Sequence, residues 1–135
     1  MSRDIGSDQE KLNYAEHAAR KEAIMLAEFS IFPLDKGGTG LSRFVAESIK
    51  IVEDSGLDYS LHAMGTLIEG PADKVFEVIR RCHERMTSQC DRVVTTVRID
   101  DRKGVVGSMV NKVESVEKKL GHEIRKGPAP SRGAT

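Results

Sequence analysis

Two apolar, strand-like runs of this chain carry polar side chains at places where a plain core strand would carry valine or isoleucine. They are Met64-Gly65-Thr66-Leu67-Ile68-Glu69-Gly70 and Arg92-Val93-Val94-Thr95-Thr96-Val97-Arg98-Ile99-Asp100-Asp101-Arg102. A polar group inside a strand is costly unless it is paired or meets a ligand. Two such strands in one small domain point to a binding surface built on a sheet. Glu69 is the leading single candidate, because it ends a strand beside Gly70-Pro71, where a carboxylate can reach a cleft.

The other polar positions each have a structural reading beside the functional one. Glu28 and Arg98 could form a cross-strand ion pair, of small worth if exposed, or contact a ligand. Thr95 and Thr96 are ordinary strand formers, and Ser30 could bond only to its neighbours. Thr39 and Ser42 stand where a helix cap is needed, which is the more common use of such residues. Gly37-Gly38-Thr39-Gly40 before a helix could hold an anion, but it lacks the Lys-Ser/Thr ending of a phosphate loop. His62 reads as a strand histidine without chemistry.

The chain has two cysteines, Cys82 and Cys90, and His83 follows the first. Their spacing matches none of the short zinc knuckles, and a second ligand pair is missing. We expect two reduced, partly buried thiols, no metal and no catalytic cysteine.

With 135 residues the chain suffices for one domain with a real core. Lys and Arg together number 21, as do Asp and Glu, so the formal net charge is zero. That balance argues against nucleic acid and an anionic membrane surface, both of which favour a basic field. Tryptophan is absent and aromatics are few, so stacking platforms for single strands are not expected. No apolar run approaches the roughly 20 residues that span a bilayer. The charged start Met1-Ser2-Arg3-Asp4 lacks an apolar signal core. A cytoplasmic location is the expectation.

The elements that must position these residues follow from periodicity. Ile24 to Phe32 reads as a strand ended by Pro33, and Leu41 to about Asp54 as a helix with Phe44, Val45, Ile49 and Val52 on one face, closed by Gly56. Tyr59 to Gly70 holds two short strands parted near Met64-Gly65, or one long bent strand. Pro71 and Asp73 open a helix to about Met86, with Val75, Phe76, Val78, Ile79 and Cys82 as its buried stripe. Arg92 to Asp100 is the last strand. Ser108 to Leu120 forms a further helix, with Met109, Val113, Val116 and Leu120 at helical spacing and Gly121 as its C-cap. Residues 1–23 read as an extension, 24–120 as the domain and 121–135 as a loose tail. With the middle segment split, the economical packing is an α+β, ferredoxin-like split βαβ sandwich: a four-stranded antiparallel sheet, two crossover helices on one face, and a C-terminal helix. Phe29, Ile31, Val93 and Val97 should face the helices, and Glu28, Ser30, Phe32, Val94, Thr96 and Arg98 the other way. A face that mixes Phe32 and Val94 with polar groups suits subunit packing, so a homo-oligomer is expected.

Four segments in order carry a resemblance. Ala27-Glu28-Phe29-Ser30-Ile31-Phe32-Pro33-Leu34, Leu41-Ser42-Arg43-Phe44-Val45, the 64–70 run and the 92–102 run together resemble the thiamine-binding-protein family of ferredoxin-like fold, from about Met25 to Leu120. The resemblance implies a non-enzymatic cytoplasmic domain, tetrameric as a rule, that holds thiamine or its hydroxymethylpyrimidine part and uses no other cofactor. An aminopyrimidine offers an amino donor and ring-nitrogen acceptors on a flat apolar ring. Its pocket wants a carboxylate or hydroxyl acceptor, a donor and an apolar wall. Glu69, Thr66, Ser30 and Thr95 can supply the polar part and Met64 a soft wall, with Thr39, Ser42 and Arg98 as further candidates. Arg98 would help only toward a phosphate, since the thiazolium is itself a cation.

Two other functions compete with that expectation. One is a structural or regulatory oligomer that binds a protein partner through its sheet edges or terminal segments, without a small molecule. The other is a small enzyme such as an acyl-phosphate hydrolase. That chemistry wants an arginine in the loop after the first strand and an asparagine to orient water. The loop offers only Lys36, and Asn111 lies in the last helix.

Overall fold

The computed structural model describes residues 7–12, 24–36, 40–102 and 108–127. Residues 8–12 form a helical turn, and the rest of the helix suggested by Leu12, Ala15 and Ala19 lies outside the described residues. Seven elements follow: β1 (Ile24–Pro33), α1 (Leu41–Ser55), β2 (Asp58–His62), β3 (Gly65–Pro71), α2 (Ala72–Thr87), β4 (Val93–Asp100) and α3 (Ser108–Leu120). The sheet order is β2-β3-β1-β4, with every pair antiparallel. This is the split βαβ sandwich, and the middle segment is two strands joined by a tight turn at Ala63-Met64.

Alternation in β1 decides the two faces. Met25, Ala27, Phe29 and Ile31 are buried. They sit opposite Gly70, Ile68 and Thr66 of β3 and, on the other side, Ile99, Val97 and Thr95 of β4. Directly opposed residues share a face, so Thr66 and Thr95 point toward the helices. Leu26, Glu28, Ser30 and Phe32 point away with Glu69, Leu67, Arg98, Thr96 and Val94. Phe44 and Val52 of α1 and Val75, Val78, Ile79, Cys82 and Met86 of α2 close the core over the first face.

Three details depart from the periodicity. Phe76 is 52% exposed, because α2 turns only Val75, Val78, Ile79, Cys82 and Met86 inward. The buried line of α1 is Phe44, Ser48 and Val52, while Val45 stays exposed. Ser42 does not cap α1: the N-cap is Gly40 in the left-handed conformation, φ 87°, and no side chain bonds there. Ser42 lies in the first turn and is exposed; Thr39, the other candidate cap, lies outside the described residues. At the other end Gly56, φ 74°, returns its N–H to the Glu53 carbonyl, the expected glycine stop.

Among the described residues, the second face is covered at one end only. There α3 approaches β3 and β4 through polar groups: the Met109 N–H donates to Glu69 Oε2 at 3.1 Å, and Lys112 pairs with Asp100. No residue of α3 is buried. The loops beyond β1 and before β4 are tied by Leu34 N–H to the Arg92 carbonyl, 2.8 Å, and Asp91 N–H to Asp35 Oδ2, 2.7 Å. The Asp91 N–H holds the Asp35 carboxyl below its ordinary pKa.

Candidate ligand-binding site

A cleft of about 120 Å³ opens where the C-terminal half of β1, the middle of α1 and the β2–β3 turn converge. β1 contributes Phe29, Ser30, Ile31 and Phe32; α1 contributes Val45, Ser48 and Ile49; the turn region contributes Leu61 to Thr66; Met86 of α2 reaches its floor. Both faces of β1 are represented, so the cleft wraps the end of the sheet instead of lying on one side.

Its chemistry is that of a neutral, half-polar pocket. Three hydroxyls (Ser30, Ser48 and Thr66) stand among two thioethers, two phenyl rings and aliphatic groups. Of the described lining residues only His62 can carry a charge. Thr66 is 6% exposed and Ser48 9%, so their hydroxyls are held in low dielectric, where a hydrogen bond to a guest counts most. The close approach of β3 to β1 begins at Gly65: a Cβ there would lie 2.9 Å from the Phe29 carbonyl oxygen. Glycine at this position lets the turn fold tightly against the cleft mouth.

Ser30, Met64 and Thr66 are thus brought together by the fold. The other candidates are elsewhere. Glu69 lies toward the far end of β3, 6% exposed, and accepts the first-turn amide of α3. Thr95 faces α2, where its hydroxyl is 2.6 Å from His83 Nδ1. Arg98 is on the open face and donates to Glu28 Oε1 at 2.8 Å, the cross-strand pair that direct opposition in the register makes possible. Ser42 sits at the start of α1, outside the cleft lining, and Thr39 falls outside the described residues.

Sequence reasoning passed over Ser48 and His62. Ser48 had a signal: it falls four residues from both Phe44 and Val52, so a hydroxyl interrupts the buried stripe of an amphipathic helix. His62, read as a strand histidine without chemistry, had none, since Glu28 reaches it across the sheet and the Met64 N–H meets its ring only once the turn has formed. Of the two cysteines, Cys82 is fully buried, with its thiol donating to the Ser48 carbonyl at 3.5 Å. Burial pushes that thiol up to about 11. Among the described residues no group of three or more His, Cys, Asp or Glu could hold a metal ion, and no helix is long and apolar enough to cross a membrane.

The sequence profile of the family described as thiamine-binding protein matches residues 27–117. The chain belongs to that family. A UPF0045 protein of Methanothermobacter thermautotrophicus is 34% identical over 99 residues, which are 72% of this chain and all of the relative. The Mycobacterium bovis UPF0045 protein Mb1933 is 38% identical over 97 residues, 71% of this chain and 94% of that one. Among solved structures, MJ1052 of Methanocaldococcus jannaschii superposes with a TM-score of 0.66 at 30% identity, covering 71% of this chain and 98% of its own. A Thermotoga maritima protein proposed to act in thiamine biosynthesis or salvage has a TM-score of 0.61 at 16% identity, with 69% and 98% covered; at that identity the likeness is one of fold. The thiamine-binding-protein family match begins inside β1 and ends inside α3, so it takes in the whole cleft.

Proposed function

We propose that this protein binds thiamine or its hydroxymethylpyrimidine part in the cleft between β1, α1 and the β2–β3 turn, without turnover, as a carrier, buffer or sensor in the cytoplasm. The observation that carries the reading is the make-up of the lining: buried hydroxyls at Thr66 and Ser48 among apolar and thioether walls, with no fixed charge. A flat aminopyrimidine suits such a site, because hydroxyls can both donate to its ring nitrogens and accept from its amino group. Met64 and Met86 provide polarizable contacts for the ring. Membership of the thiamine-binding-protein family supports the choice of ligand.

Among the described residues the lining holds no Lys or Arg, so a phosphate on the ligand should gain nothing from them. Titration calorimetry of the full chain with thiamine, its phosphates and hydroxymethylpyrimidine tests the reading. We expect saturable heat, phosphorylated forms no tighter than thiamine, and a weakening of about tenfold in Thr66→Val, the scale of one buried hydrogen bond lost. Glu69→Gln should leave the affinity unchanged, since Glu69 lies outside this cleft. No heat from any of the compounds would reject the ligand and favour an oligomer that serves a protein partner.

Self-association as a homotetramer belongs to the same proposal. Phe32 and Val94 are directly opposed on the open face and are 50% and 43% exposed. A second apolar surface is offered by the edge strand β4, where Val97 and Ile99 are exposed. Two separate self-complementary surfaces on one subunit generate a closed four-subunit assembly when each is used across its own two-fold axis.

A further inference from the structure

We propose that neutral His62 latches the β2–β3 turn against the cleft, and that protonating it releases the turn. The Met64 N–H donates to His62 Nδ1 at 3.3 Å. Nδ1 must therefore present its lone pair, and the neutral ring carries its proton on Nε2. Glu28 Oε2 lies 3.2 Å from Nε2, placed to pair with the ring once it is charged.

A second proton can go only to Nδ1. There it sets an N–H against the Met64 N–H, and the latch is lost. The other contact grows stronger, because Nε2–H then points from a cation to a carboxylate. The ring stays with Glu28, and the turn gives way. Motion falls on Ala63-Met64, since Gly65 is packed against the Phe29 carbonyl.

The charged groups facing His62 come from two strands. Glu28 of β1 is the direct partner, and Arg98 of β4 holds its other oxygen at 2.8 Å. β3 places uncharged Gly65 opposite His62. The helices bring only Val45, Ser48, Ile49 and Met86 to the cleft. Asp100 and Lys112, farther along the open face, pair with each other.

Ala63 and Met64 line the cleft mouth, so release of the turn removes one wall; the consequence for ligand rests on the thiamine reading above. The full chain, 15N-labelled and without ligand, is titrated between about pH 8 and pH 5.5, within the range where histidines change charge. The Met64 amide should shift with the midpoint of the His62 ring nitrogens, and in His62→Gln it should cease to respond. A Met64 amide indifferent to the His62 titration overturns the latch, as does one that keeps its pH response in His62→Gln. Thiamine affinity at the two ends of the range separates latch from ligand. Weakening of about fivefold on acidification, the scale of one neutral hydrogen bond, should appear in the wild type and vanish in His62→Gln. Equal weakening in both proteins overturns the coupling. Absence of thiamine heat at every pH, with Met64 still following His62, rejects thiamine and supports the latch.

Discussion

An alanine at residue 65 would bring a methyl group to 2.9 Å from the Phe29 carbonyl oxygen, closer than real Cβ atoms come to backbone. The strands would have to part, so Gly65→Ala should cost about 1–3 kcal/mol in denaturant unfolding. Cys82 is the opposite case, a side chain that fills its space. Its thiol is fully buried and its proton is retained to about pH 11 instead of 9.0. In the unfolded chain the thiol ionises first, so stability should fall as pH rises from about 9 to about 11 and be insensitive to this group below that range. Cys82→Ala should flatten the slope. Native protein at neutral pH should alkylate at Cys82 only as fast as it opens, a rate that mass spectrometry of quenched samples reads directly. At this scale much was invisible beforehand. The sequence marks Glu69 as a charged residue in an apolar strand, but its partner is a backbone amide 40 positions on. That is a contact of tertiary structure, and no local pattern encodes it. Thr95 is hidden in the same way, since His83 reaches it only after α2 has packed on the sheet.

Among the elements, α3 is held to the sheet through polar contacts, Glu69 with the Met109 amide and Asp100 with Lys112. None of its residues is buried, and its first turn is anchored by the Glu69 carboxylate. A carboxylate that accepts a first-turn amide also meets the positive end of the helix dipole. Glu69→Ala should therefore loosen α3 by about 1–2 kcal/mol. Hydrogen exchange over residues 108–120 should accelerate, while exchange in β1 and α2 stays slow. Uniform acceleration across the chain would show that Glu69 supports the sheet and not the helix. Five of the seven elements were readable, because strand alternation and helical periodicity are local and the glycines at 56 and 121 stop their helices by backbone conformation, while periodicity left 59–70 open between one bent strand and the β2–β3 pair. Assigning β1 and β4 to two faces also succeeded, since period-two alternation leaves one consistent register. The cap of α1 failed that reading. Serine and threonine are the usual caps, whereas here Gly40 takes a conformation that needs no side chain.

For the whole molecule, the exposed Phe32–Val94 pair is the feature a lone subunit would tolerate least. Val94→Asp places a charge at the centre of that patch without touching the core. Light scattering on a sizing column should show a mass below that of the proposed tetramer while circular dichroism is retained; a mass equal to the wild type's would exclude this face from the assembly. β1 is central and pairs with β3 and with β4, joining residues such as Glu28 and Arg98 that lie 70 positions apart. As the chain leaves the ribosome, β1, α1, β2 and β3 can assemble first, and one edge of β1 then waits unpaired until β4 emerges. That edge belongs to the strand carrying Met25, Phe29 and Ile31, a sequence prone to join other nascent chains. Slow emergence of the 72–92 stretch would prolong the exposure, and chaperone demand should peak while it emerges.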